Sequence, residues 1–143
     1  KMSRFIMSMS KAVDLLIKCE KLMKGGEVFI IKMKALLIKD LIDVLANELA
    51  KKYNKKVLKI KTIGKQYGEK LYEELMNEEE IRRSYELKDY VVILPAYGEY
   101  FKKNKFIKFF KKNFKLKDTY NSKNSKYLSK KKISKILHQE KLI

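Results

Sequence analysis

The chain of 143 residues is short of the residue types that usually announce chemistry. It has one cysteine, one histidine, one proline, five glycines and no tryptophan. A single Cys19 excludes an internal disulfide. Its place in an apolar helical pattern marks it as a small buried hydrophobe, and a reducing, cytoplasmic setting follows as the expectation. One histidine with one cysteine cannot build a zinc site. His138 falls on a basic helix near the C-terminal end and is expected to face solvent. No serine sits in a Gly-x-Ser-x-Gly setting, and no second histidine exists to activate one. There is no Gly-x-Gly-x-x-Gly turn for a dinucleotide and no P-loop. No apolar run approaches the roughly 20 residues of a membrane span. The opening stretch, Lys1 to Ser10, lacks the apolar core and small-residue cleavage site of a signal peptide.

What the chain has in excess is lysine. Thirty-five basic residues face 17 acidic ones, a net charge of +18. Only Arg4, Arg82 and Arg83 among them are arginine. Such a charge suits nucleic acid, an anionic membrane or a phosphorylated ligand, but recognition of phosphates and base edges favours the arginine fork. The charge is uneven. Residues 1–97 carry 20 basic and 14 acidic side chains, and residues 98–143 carry 15 and 3. The break, beside Pro95, divides an α/β body (1–97) from a basic C-terminal extension (98–143).

Within the body, Ser8 or Ser10 can N-cap a helix reaching Lys24, with Ala12, Leu15, Leu16, Cys19, Leu22 and Met23 on one side. Gly25 and Gly26 stop it. Val28-Phe29-Ile30-Ile31 reads as a buried strand. Residues 38–53 form a second amphipathic helix on Ile38, Leu41, Ile42, Leu45 and Leu49. Lys55 to Ile63 alternates as a half-buried strand should. Residues 64–68 make a loop, 69–76 a short helix, and 90–94 a third strand. In the extension, Phe106, Phe109, Phe110 and Phe114 share a helical face expected to pack on protein. Tyr120 to Lys126 is polar and extended, and Ser129 to Gln139 is a capped helix on Ile133, Ile136 and Leu137.

Two apparent catalytic signals dissolve on inspection. Tyr127 and Lys131 have the Tyr-x-x-x-Lys spacing of short-chain dehydrogenases, yet they straddle a helix cap with no cofactor motif upstream. Glu78, Glu79 and Glu80 are adjacent on a helix and so diverge, as on a solvated face. Two segments remain that suit an anionic ligand. Arg4 stands just before a helix start, where a guanidinium and a helix dipole can meet phosphate. The loop Gly64-Lys65-Gln66-Tyr67-Gly68 leads to Glu69, whose carboxylate can accept from ribose hydroxyls or serve the helix N-terminus electrostatically.

Arg4-Phe5-Ile6-Met7-Ser8, Ala12-Val13-Asp14-Leu15 and Gly25-Gly26-Glu27-Val28-Phe29, in that order, resemble the "Arg-Phe-x-Met-Ser … Ala-Val … Gly-Gly-Glu-Ile-Phe" stretch of UDP-N-acetylglucosamine 4,6-dehydratases and capsular-polysaccharide-biosynthesis proteins, which are extended short-chain dehydrogenases. Lys32-Met33-Lys34-Ala35 resembles their "Lys-Met-Pro-Ala" turn, with Lys34 for proline. Gly64 to Leu75 is similar to "Gly-x-Arg-Pro-Gly-Glu-Lys-Leu-x-Glu-x-Leu", with Gln66 for arginine and Tyr67 for proline. Tyr120-Asn121-Ser122 and Leu128 to Leu137 resemble the family's C-terminal ending.

The resemblance implies the α/β, nucleotide-sugar-binding C-terminal lobe of such an enzyme, without the Rossmann lobe that binds NAD(P) and supplies the catalytic residues. It implies a UDP-sugar partner, with Arg4 at the diphosphate and Gln66 and Glu69 in the binding loop. It assigns no catalytic residue, cofactor or metal to this chain. The family reaction is oxidation at the sugar C4, followed by dehydration or epimerisation. A separately encoded Rossmann lobe and a second copy of the chain are the implied protein partners. The competing expectation is a stand-alone basic protein whose C-terminal segment binds nucleic acid or an anionic membrane.

Overall fold

The computed structural model describes residues 1–57, 59–96 and 119–143. The Phe106–Phe114 face therefore lies outside the described residues. The fold is mixed α/β. Its elements in order are β1 (Ser3–Ile6), α1 (Met9–Leu22), β2 (Val28–Ile31), β3 (Lys34–Leu37), α2 (Ile38–Lys52), α3 (Glu78–Ile81), β4 (Ser84–Glu86), β5 (Tyr90–Ile93) and α4 (Lys130–Gln139). They fall into two compact units, residues 1–6, 34–73 and 121–143, and residues 7–33 and 74–120.

In the first unit, β1 and β3 form an antiparallel pair, Ser3 opposite Leu37 through Ile6 opposite Lys34. The sequence placed a turn at Lys34. Lysine keeps the backbone N–H that proline would lack, so this position can join a ladder. Tyr127 bridges to Ala35 in parallel, and the Leu128 N–H bonds to the Ala35 carbonyl at 2.8 Å. α2 and α4 pack together. Leu36, Val44, Leu128, Ile133 and Leu137 form the buried core, ringed by Ile6, Ile38, Leu41, Leu45, Ile136 and Ile143. The α2 face is turned slightly from the expected one. Val44 and Ala50 are buried, whereas Ile42 and Leu49 are exposed. Lys130 ties the start of α4 to α2 by ion pairs with Asp43 at 2.5 Å and Asp40 at 3.8 Å. The expected C-terminal helix thus completes a core with residues of the body.

The second unit holds the antiparallel sheet β2-β5-β4. Along β5, Val91 and Ile93 face one cluster, with Ile30 and Met76, and Val92 faces another, with Leu94. Both faces are covered, so β5 reads as a continuous apolar run where a one-sided strand would alternate. α1 packs against β2, with Ser8 as its N-cap, its hydroxyl accepting from the Lys11 N–H. Only part of the expected α1 face is covered. Ala12, Leu15, Cys19 and Leu22 are half-buried, while Leu16 and Met23 are exposed. Partial burial pushes the Cys19 thiol above its ordinary pKa. At Gly26, φ is +82°, and an added Cβ would lie 3.0 Å from Pro95 Cγ, which leaves glycine as the fitting residue.

Three expectations are corrected. Lys55–Ile63 forms no strand among its described residues, and Val57, Ile60 and Ile63 are exposed. Alternation alone cannot make a strand without an edge to pair with, and its lysines resist burial. Residues 69–76 are not helical. Their amides and carbonyls go to distant partners. The Glu73 N–H bonds to Ser122 Oγ at 2.8 Å, the Leu71 carbonyl accepts from Ser3, and the Leu75 N–H bonds to the Tyr120 carbonyl. Residues 121–125 bend where extension was expected. Asn121 Oδ1 accepts from the Asn124 N–H, and its carbonyl accepts from the Ser125 hydroxyl.

Tyr120 supplies a test of the second unit. Its hydroxyl accepts from the Met33 N–H at 2.6 Å and donates to the Met33 carbonyl at 3.2 Å. Tyr120→Phe leaves a part-buried N–H without that partner and should cost about 1–3 kcal/mol. Burial raises the phenol pKa above its ordinary 10.0, with the Met33 hydrogen bond pulling the other way. A raised folded-state pKa means the contribution is full below pH 10 and is lost as pH climbs through the folded value. Urea melts of both forms from pH 7 to 11 should show a gap that narrows above pH 10. No gap at pH 7 would refute the hydrogen-bond account.

Candidate functional site

The first unit carries all three of the expected ligand residues. Gln66 to Glu69 is a tight turn, with the Glu69 N–H bonded to the Gln66 carbonyl at 3.2 Å. Gly68, third in the turn, has φ +76°, the positive value that a type II turn requires there. The Glu69 carboxylate closes the turn from the other side, Oε2 accepting from the Gln66 N–H at 3.1 Å. Glu69 therefore first organises the loop it sits in. Its Oε1 has no partner among the described residues and can still accept. Tyr67, second in the turn, is fully exposed. Proline is favoured there, which gives the family's proline a plain backbone reason.

Arg4 lies in β1 opposite Leu36. Its guanidinium reaches the segment just after the turn. Nη2 donates to the Lys70 carbonyl at 2.7 Å, Nη1 to the Ser3 carbonyl at 2.8 Å, and Nε pairs with Glu73 Oε1 at 3.2 Å. A guanidinium has five N–H donors. One on each Nη is left without a partner among the described residues. Arg4 thus fixes the base of the loop and retains donors for an anion.

The support beneath is a pair of buried serines. Ser3 Oγ and Ser122 Oγ are 2.9 Å apart, and Ser122 Oγ takes the Glu73 N–H. Ser122 also returns its own N–H to the Glu73 carbonyl at 2.8 Å. Three segments distant in sequence are joined here, and polar groups buried this way fix one geometry because an unmatched one is costly. Sequence reasoning gave no role to Ser3, Glu73 or Ser122. Glu73 was visible only inside the Leu-x-Glu-x-Leu box, and two serines 119 residues apart leave no local signal.

Other side chains singled out in the sequence have structural partners. The Tyr127 hydroxyl donates to the Lys123 carbonyl at 2.9 Å. Glu80 closes a capping box with Asn77, and Glu79 pairs with Arg83, which holds the Glu79 carboxyl below its ordinary pKa. His138 is exposed, 3.5 Å from Glu48. No group of three or more His, Cys, Asp or Glu among the described residues could hold a metal. No helix among them is long and apolar enough to cross a membrane.

A protein of Methanocaldococcus jannaschii described as an uncharacterized membrane protein is 49% identical over 96% of the chain. The UDP-glucose 4-epimerase of Rickettsia rickettsii is 33% identical over 95%. In both cases this chain spans 38% of the relative's length. The X-ray structure of Pen from Bacillus thuringiensis superposes with a TM-score of 0.84 at 34% identity, covering 99% of this chain and 39% of Pen. The fold is therefore that of one portion of a larger protein. The polysaccharide biosynthesis protein family matches residues 1–95, the stretch that holds Arg4 and the whole Gln66–Glu69 turn, and the chain belongs to that family.

Proposed function

We propose that this chain is the nucleotide-sugar-binding portion of a UDP-sugar epimerase or 4,6-dehydratase of polysaccharide biosynthesis, acting in the cytoplasm. The observation that carries the reading is the Arg4-braced turn at Gln66–Glu69, within a chain whose relatives include UDP-glucose 4-epimerases. The remaining Nη donors of Arg4 meet diphosphate oxygens. Glu69 Oε1 accepts from a ribose hydroxyl, and Gln66 donates amide hydrogen bonds without adding charge. UDP-N-acetylglucosamine is the preferred candidate within this class.

NAD(P) would supply the hydride chemistry at the sugar C4. The residues of this chain do not fit it, since a dinucleotide needs a Gly-rich turn opening a helix after a strand and the sequence has none. The cofactor and catalytic groups belong to the other three fifths of the relatives' length, joined to this chain or separately encoded. A second copy of the chain is a further candidate partner.

Two results are expected of the chain alone. With NAD supplied, it turns over neither UDP-glucose nor UDP-N-acetylglucosamine. In saturation-transfer NMR it nevertheless contacts UDP and both UDP-sugars, and the three compete. Turnover by the chain would refute the division of labour, and no contact at millimolar ligand would refute the binding role.

A further inference from the structure

The stretch from Lys55 to Tyr67, in the first unit, interleaves exposed lysines with exposed apolar side chains. Lys55, Lys56, Lys59, Lys61 and Lys65 are all exposed, and none has an ion-pair partner among the described residues. No acidic residue occurs between positions 55 and 68. Interleaved with these lysines are Val57 and Ile60, each 51% exposed, Ile63 at 74%, and the fully exposed Tyr67. Scattered apolar side chains on a surface are ordinary, but a run of them within one short segment marks an interaction site. Gly64, with φ +85° and open space where a Cβ would stand, lets the chain turn between Ile63 and the binding loop.

We infer that residues 55–57 and 59–67 form a docking strip for an anionic lipid bilayer surface. The partner must offer negative charge and apolar depth together, because the strip alternates lysine with valine, isoleucine and tyrosine. A bilayer of acidic headgroups offers both. Lysine stems lie along the apolar boundary while their ammonium groups stay in the headgroup layer. Tyrosine suits the same boundary, with an apolar ring and a polar tip. Nucleic acid offers the charge, but the strip has no arginine for bidentate phosphate or base contacts, and its isoleucines would gain nothing there. An acidic protein surface offers the charge in fixed positions, whereas flexible lysines at irregular spacings match a diffuse one. The strip ends at the Gln66–Glu69 turn, so docking would hold the nucleotide-sugar loop beside a membrane. The argument does not depend on the proposed ligand of that loop.

The test is co-sedimentation of the full chain with phosphatidylcholine vesicles, with vesicles containing 30% phosphatidylserine, and, by gel shift, with a 20-base-pair DNA duplex. Each lysine near an acidic bilayer contributes about fivefold in partitioning. Changing all five lysines to glutamine should weaken binding to acidic vesicles by roughly a hundredfold or more. Ile60→Ser with Ile63→Ser should weaken it about tenfold while leaving DNA binding unchanged. All substituted side chains are exposed, so melting curves should not move. Binding to acidic vesicles should fall when salt rises from 50 to 300 mM, and neutral vesicles should bind weakly at either salt. Unchanged binding in the five-lysine variant would place any lipid affinity elsewhere and overturn the inference. So would absent binding to acidic vesicles, or DNA binding that drops with the isoleucines.

Discussion

Ile133→Ala should destabilise the chain by about 2–5 kcal/mol and lower its melting temperature by roughly 8–20 °C. Ile133 is 1% exposed and sits among Leu36, Val44, Leu128 and Leu137. Removing its branched end opens a cavity between α2, α4 and β3, and the neighbours are themselves held by backbone pairing at Ala35 and Leu128. The site can therefore collapse only partly. The ten-residue α4 is too short to be stable alone, so its helicity comes from this packing. Lys131→Ala, on the exposed side of the same helix, should move the melting temperature very little. Equal melting curves for the two variants would mean that α4 does not build the first unit. The basic C-terminal segment would then be the independent extension that its composition suggests.

Gln66→Arg should tighten UDP-sugar binding by about tenfold or more. A neutral amide gives a phosphate one or two hydrogen bonds and no charge. Hydrogen bonds to charged groups contribute roughly 1.5–3 kcal/mol net, with bidentate arginine at the upper end, and about 1.4 kcal/mol is tenfold. The turn should tolerate the change because Gln66 contributes its backbone N–H and carbonyl to it, and any side chain keeps those. Glu69→Ala should weaken binding twice over, by losing an acceptor and by loosening the turn. Arg4→Ala should weaken it most, since it removes the donors proposed to meet phosphate and releases the Lys70 carbonyl and Glu73. Arg4→Lys separates these effects. A lysine keeps the charge but cannot span Ser3, Lys70 and Glu73 together, so it should recover only part of the affinity. Calorimetric titration of UDP-N-acetylglucosamine into the variants gives the order.

The parts of this fold that were legible in the sequence are those with strong periodicity and local punctuation. α1, α2 and α4 follow from apolar spacing, α1 also from its Ser8 cap and the Gly25–Gly26 stop, and β2 and β5 from apolar runs, whereas the cap expected at Ser129 makes no side-chain hydrogen bond. β1, β3 and β4 are as short as β2 and β5 but mix polar with apolar residues, so they offer neither a period to count nor a continuous apolar run. Lys55–Ile63 had the period and lacked a partner, which only tertiary structure supplies. Residues 69–76 had helix-forming composition, but their amides were claimed by Ser122 and Tyr120 across a long sequence gap. At the candidate site, Arg4 and Glu69 stood out by chemistry and by resemblance. Their first duties could not be read from sequence, because bracing Lys70 and Glu73 and closing the turn depend on where β1 and Ser122 lie.

The claim that the Arg4-braced turn is a nucleotide-sugar site is tested most directly by mapping amide shifts of the chain during titration with UDP. The account predicts saturable shifts concentrated at Arg4 and Gly64–Leu71, reduced when Arg4 is replaced by alanine. Inorganic phosphate at equal ionic strength should reproduce them only weakly. Shifts confined to lysines of α4 or spread along the basic surface, insensitive to Arg4 and matched by phosphate, would contradict it.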